Sequence, residues 1–189
     1  MIVNEIPTKE KLNTGGPYLH HCVTIVREID GKNIVFIHDI RFKGRQNIEW
    51  KDVEVFLKEY VGTYYEIIET SDVVYLGADF PKEIKGSEDT VRLRGANAKA
   101  KANAVQGIPM LLEYATNKRW SENMKTKHMV DAQYGWYRYT ARFALPVYDD
   151  RGELSRFNIF RIEMLVRHAS DGKLYLYDMV NVKKEKETK

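Results

Sequence analysis

The alternation of apolar and polar residues is clearest between Tyr134 and Val182, where three runs each set one oily face against one polar face. Gly135 to Tyr148, Phe157 to Arg167 and Lys173 to Val182 are rich in β-branched and aromatic residues. Asp149-Asp150-Arg151-Gly152 and Ser170-Asp171-Gly172 fill the breaks between them. Aspartate with glycine at such breaks predicts tight turns, because glycine accepts the positive φ they require. The pattern predicts three consecutive antiparallel strands. Successive strand residues point to opposite faces. Tyr137, Tyr139, Ala141, Phe143, Leu145 and Val147 share the oily face in the first run. Phe160, Ile162, Met164 and Val166 do so in the second, and Leu174, Leu176, Val180 and Val182 in the third. The other face then carries Arg138, Thr140 and Arg142, next Arg161, Glu163 and Arg167, and last Lys173, Tyr175, Tyr177 and Asn181, with Trp136 and Tyr148 at its ends. One carboxylate stands there among four arginines.

Upstream, 22–29 and 34–42 are β-rich and joined by Asp30-Gly31-Lys32-Asn33, a hairpin. Trp50, Val53, Phe56, Leu57 and Tyr60 fall at helical spacings, predicting an amphipathic helix over Glu49–Val61 that Gly62 ends. Tyr64–Ile68 and Val73–Leu76 read as short strands, so the region has a ββαββ pattern. Residues 79–89, with Pro81 and Gly86, read as a loop. An alanine-rich helix follows from about Val91 to Gln106, capped by Asp89 or Thr90, and bears Arg92, Arg94, Lys99 and Lys101. Pro109 breaks it and opens a second helix to about Asn117. Lys118–His128 reads as a basic connector. The expected class is α+β: a ββαββ-like module, central helices and a C-terminal antiparallel sheet of at least three strands. The expected divisions are a flexible leader (1–17), a small acidic module (18–90), helices plus sheet (91–183) and a tail (184–189).

Composition narrows the function classes. No run approaches the roughly 18 apolar residues of a membrane span, so no membrane partner is expected. The first residues lack the basic and apolar regions of a secretory signal. The single cysteine, Cys22, excludes an internal disulfide and fits a reducing, cytoplasmic setting. A net charge of +3 hides an asymmetry: residues 1–90 hold 11 Lys/Arg against 16 Asp/Glu, and 91–189 hold 19 against 11. A basic half of this kind suits RNA or another polyanion. His20, His21, His38, His128 and His168 show no metal-ligand spacing, and no cofactor is expected. A phosphate-cradling glycine loop and a Gly-x-Ser-x-Gly elbow are both missing, which argues against nucleotide hydrolysis and acyl transfer.

The chemistry that suits the polar face is metal-independent RNA cleavage. It needs a base for the 2′-hydroxyl proton, an acid for the 5′-oxygen and cations for the phosphate. Glu163 and His128 are the candidates for proton transfer. Arg138, Arg142, Arg161 and Arg167 are the candidates for phosphate, which arginine grips bidentately. Tyr175 and Tyr177 suit base stacking or donation to a phosphate oxygen. The competing reading is an ordinary solvated sheet face of cross-strand charge pairs, on a non-catalytic binding or adaptor module.

Lys127-His128, Asp131-Ala132-Gln133-Tyr134-Gly135-Trp136-Tyr137-Arg138-Tyr139, Arg142 to Tyr148, Leu165-Val166-Arg167-His168 and Leu174 to Glu185 resemble a domain of phage and mobile-element proteins of Firmicutes, found in large polyvalent and phage head-associated proteins. The resemblance extends upstream through Phe42-Lys43-Gly44-Arg45, the Trp50 helix, Tyr64-Tyr65-Glu66-Ile67 and Ala98 to Ala104. That domain is grouped with the barnase/EndoU/colicin/RelE-like nuclease superfamily. The resemblance implies helices followed by an antiparallel sheet with the site on its open face, and a phage or host protein as an alternative partner. Catalytic residues vary across that superfamily, so it implies a location and no individual roles.

Overall fold

The computed structural model describes residues 24–44 and 46–185. The leader (1–17), His20, His21, Cys22, Arg45 and residues 186–189 of the expected tail lie outside the described residues. Strand β1 (Thr24–Ile29) and strand β2 (Lys32–Ile37) form the predicted hairpin, tightened to a two-residue turn at Asp30-Gly31. Both turn residues have positive φ, 52° and 73°, the twist that suits a right-handed strand pair. Beyond Ile37 the chain leaves the sheet, where strand had been expected to Phe42. Asn103 holds this stretch by accepting from the Phe42 amide and donating to its carbonyl, and Gln106 donates to the Asp39 carbonyl. Those backbone groups are satisfied by side chains, so they need no strand partner.

Helix α1 (Trp50–Leu57) starts at Glu49, whose carboxylate accepts from the Lys51 amide, and it buries Val53 and Leu57. Strands β3 (Tyr64–Ile67) and β4 (Asp72–Tyr75) match the reading. The expected loop at 79–89 does not: it is mostly helix, as α2 (Phe80–Gly86) and α3 (Glu88–Arg92). Pro81 sits in the first turn of α2, where its missing N–H costs nothing, and Phe80 and Ile84 form a buried stripe. The N-cap of α3 is Ser87, which accepts from the Thr90 amide; Leu93 and Arg94 then separate α3 from helix α4 (Gly95–Ala104). Helix α5 (Ile108–Glu113) follows with proline in its first turn. Strand β5 (Thr116–Ser121) occupies part of the supposed basic connector, and β6 (Trp136–Tyr148), β7 (Leu154–His168) and β8 (Leu174–Lys184) are the three predicted strands.

The strands form one mixed sheet ordered β1-β2-β6-β7-β8-β4-β3, with β5 also on β6. The ββαββ segment makes no sheet of its own. Its first hairpin joins β6 and its second joins β8, each through a short parallel pairing. The fold is α+β, with its C-terminal strands antiparallel as expected. The inner face holds Tyr139, Phe143, Phe160, Ile162, Met164 and Leu176, covered by α1, α4 and α5. The alanines of α4 (Ala98, Ala100, Ala102, Ala104) bring its backbone close to the sheet. Beyond its pairing with β4, the outer edge of β8 is closed by α2, α3 and α4. Among the described residues no helix is long and apolar enough to cross a membrane.

Candidate functional site

Cross-strand pairing puts the outward side chains of β6, β7 and β8 in rows: Trp136–Arg167–Tyr175, Arg138–Leu165–Asp178, Thr140–Glu163–Val180 and Arg142–Arg161–Lys183. Alternation holds in β6 and β7. In β8 it slips at two bulges, one near Tyr177 and one at Asn181, whose φ is 56°. Between them Met179 turns into the core opposite Met164, and Val180, expected inside, faces outward beside Glu163. Lys173 precedes β8.

Most charges predicted on this face already have partners in the fold. Glu163 accepts from Arg119 (2.9 Å), Arg138 (3.1 Å) and Asn181 (2.8 Å). Burial pushes its carboxyl up, but those three donors outweigh burial and hold it below the usual range. Arg142 grips Glu185 through two hydrogen bonds. Arg167 stacks over the Tyr175 ring at 4.8 Å and donates weakly to the Asp131 carbonyl at 3.4 Å. Tyr175 donates to Asp171 at 2.6 Å. Arg161 is exposed, with no ion pair among the described residues. His168 packs beside Tyr134 and Tyr137.

One end of this face deepens into a cleft of about 920 Å³. Helices α2 and α3 form one wall, the segment from Ser121 to Asp131 the other, and Trp136, Arg138, Leu165, Tyr177 and Val180 the floor. Gly135 permits the sharp entry into β6. Its φ is +92°, and a Cβ there would lie 2.6 Å from the Ser121 carbonyl oxygen. Trp120 locks the same corner by donating to the Tyr134 carbonyl.

His128 stands at the foot of the cleft with 8% of its surface exposed. Its ring meets Trp136 and Tyr177 edge-on at centroid distances of 5.3 and 5.4 Å. Burial pushes the imidazole below its usual range, and the Lys127 charge adds to that. Its Nδ1 is buried without a hydrogen-bond partner among the described residues; the Asp131 carboxylate, at 4.0 Å, is beyond hydrogen-bond reach. Glu83 on α2 lines the same cleft. Burial pushes its carboxyl up to about 7; Arg167 opposes this and Asp79, Asp131 and Asp178 reinforce it. Tyr177 is raised by burial and then by the Glu83 charge.

Behind the cleft lies a buried ion cluster. Lys101, fully buried, bonds Asp178 at 2.8 Å and Asp89 at 2.9 Å, and Asp89 also accepts from the Asn181 amide. Desolvation raises the Asp178 carboxyl despite the Lys101 charge. The cluster fixes α3 against the bulged edge of β8, and so fixes that wall of the cleft.

Of the residues singled out in the sequence, the cleft gathers His128, Arg138 and Tyr177. Glu163 does not line it but orients Arg138. Arg167 and Tyr175 adjoin its floor; Arg142 and Arg161 lie further along the sheet. Glu83 did not stand out in the sequence, where 79–89 read as a loop and only Phe80 and Ile84 mark the helical stripe of α2. Among the described residues no group of three or more His, Cys, Asp and Glu side chains converges as metal ligands do. No family model matches the chain, and no curated protein or solved structure matches it.

Proposed function

We propose that the protein binds single-stranded RNA in this cleft and cleaves it by side-chain acid–base chemistry, with His128 as base and Glu83 as acid. The supporting observation is the unpartnered Nδ1 of the nine-tenths-buried His128 in one cleft with Glu83. Its environment keeps His128 neutral, and Glu83 retains its proton up to about pH 7. A base held unprotonated beside a carboxyl that keeps its proton can work as a base and an acid at one pH.

The step balances within the strand. His128 takes the 2′-hydroxyl proton, the 2′-oxygen attacks the adjacent phosphorus, the P–O5′ bond breaks, and Glu83 protonates the departing 5′-oxygen. Solvent then returns a proton to Glu83 and removes one from His128. In this reading Arg138, which still has donors beyond its bond to Glu163, holds the phosphate. Trp136 and Tyr177 supply an aromatic floor for a base. In this account Glu163 is a positioning residue for Arg138.

The test is cleavage of a mixed RNA pool in the presence of EDTA by wild type, His128→Gln and Glu83→Gln. Loss of cleavage by about a hundredfold or more in both variants supports the reading. No cleavage by folded wild type, or cleavage untouched by both changes, overturns it. The second reading, a non-catalytic phage or mobile-element binding module, is favoured by the ion pairs that occupy Glu163 and Arg142. It predicts salt-dependent RNA binding, or a stoichiometric protein partner, without cleavage.

A further inference from the structure

Four residues beyond Arg138 on β6, about 13 Å at 3.3 Å per residue, the outward face carries Arg142, Arg161 and Lys183 directly opposite one another across β6, β7 and β8. Like charges in that position destabilise a sheet. Among the described residues one carboxylate reaches the row: Glu185, held by both arms of Arg142. That bond keeps the Glu185 carboxyl below its usual range, and Lys32 and Arg161 depress it further. Arg161 and Lys183 are exposed and have no ion pair among the described residues. The neighbouring row adds Arg119 and Arg138 against the single Glu163. Among the described residues, five cations thus face two carboxylates on one strip of sheet that leads into the cleft.

We propose that the Arg142–Arg161–Lys183 row binds the phosphate backbone of an RNA strand whose reacting segment lies in the cleft, an assignment that rests on the cleft reading for the strand's path. A lone anion would satisfy only one or two of these groups. A chain of phosphates relieves the row's self-repulsion along its length. The aromatic floor at the cleft end of the strip favours a nucleic acid over an acidic protein segment, which has no bases to stack.

The experiment measures binding of a short 2′-O-methyl RNA oligomer by fluorescence anisotropy from about 50 to 200 mM salt. The proteins are wild type, Arg161→Gln/Lys183→Gln and Arg161→Glu/Lys183→Glu, with thermal melting to confirm folding. Each lost phosphate contact lowers the slope of log K against log salt by about 0.7. The Gln pair is expected to lower it by about 1.4, and the Glu pair to weaken low-salt binding by about tenfold or more. Slopes unchanged in both variants, or no binding by wild type, overturn the proposal. So does a variant that loses affinity for polyglutamate but keeps it for the oligomer. The oligomer cannot be cleaved through its own 2′-oxygen, so the row is read whether or not the cleft is catalytic. Dinucleotide cleavage, too short to span the row, reads the cleft alone.

Discussion

Replacing Glu83 with glutamine should change how stability depends on pH. In the folded protein the Glu83 carboxyl is raised from 4.5 to about 7, chiefly by burial. A raised carboxyl stabilises the fold while protonated and loses that contribution as pH climbs through the folded value. Wild type should therefore lose stability between about pH 4.5 and 8 through this group, and glutamine, which cannot ionise, should not. A rise from 4.5 to about 7 is worth at most about 3.4 kcal/mol. Glu83 lines an open cleft, so solvent screening reduces the effect to about 1–2 kcal/mol. Arg167, Asp79, Asp131 and Asp178 face it in both proteins and largely cancel in the comparison, as does the titration of His128 below its usual 6.5. Urea unfolding at pH 5 and pH 8, followed by tryptophan fluorescence, measures the difference. The Glu83→Gln variant should gain about 1–2 kcal/mol on wild type between the two conditions. Parallel pH dependence in the two proteins would refute the burial argument.

Lys101→Met leaves Asp178 buried without its cation and should cost about 3–5 kcal/mol; adding Asp178→Asn should recover part of that, both read by chemical unfolding. Gly135→Ala places a side chain at φ +92° against the Ser121 carbonyl and should cost about 1–3 kcal/mol in thermal melting. Glu163→Gln weakens three charge-assisted hydrogen bonds and should cost about 1–2 kcal/mol at pH 7. Because the Glu163 carboxyl is held below its usual range, the wild-type advantage over Glu163→Gln should fade as pH falls from about 4.5 through the lower folded value.

The sequence revealed elements where burial imposed a period over several turns or strand residues, and missed α2, whose stripe is only Phe80 and Ile84. The inner faces of β6 and β7 were legible because Tyr139, Ala141 and Phe143, and likewise Phe160, Ile162 and Met164, recur at every second position with Thr140, Arg142, Arg161 and Glu163 between them. Strand β5 was hidden because all six of its residues are exposed, and the partners that define it, β6 and the Glu163 carboxylate, are distant in sequence. The parity of β8 failed where Asp178 and Asn181 bulge toward α3 and α4, a tertiary demand that no local pattern carries. Lys101 was read only as one of four cations on the alanine-rich helix, and only the folded chain brings Asp89 and Asp178 to it. The outward face was read as one open arginine surface. It is instead zoned: Arg138 and Arg142 are paired with Glu163 and Glu185, Arg161 is exposed without an ion pair among the described residues, and His128 and Glu83 lie in the cleft at one end. Of that pair, His128 was legible as a histidine just before the sheet, while Glu83 needed the fold of α2 to reach it.

The central claim is that His128 and Glu83 exchange protons with one substrate, and a pH–rate profile tests it most directly. Single-turnover cleavage of a ribodinucleotide across about pH 5 to 9 should give a bell in wild type. His128 ionisation, lowered from 6.5, should set the acid limb, and loss of the Glu83 proton near 7 the alkaline limb. Any residual rate in Glu83→Gln should keep the acid limb and lose the alkaline one. Absence of cleavage by folded wild type, or an alkaline limb that survives in Glu83→Gln, would contradict the account.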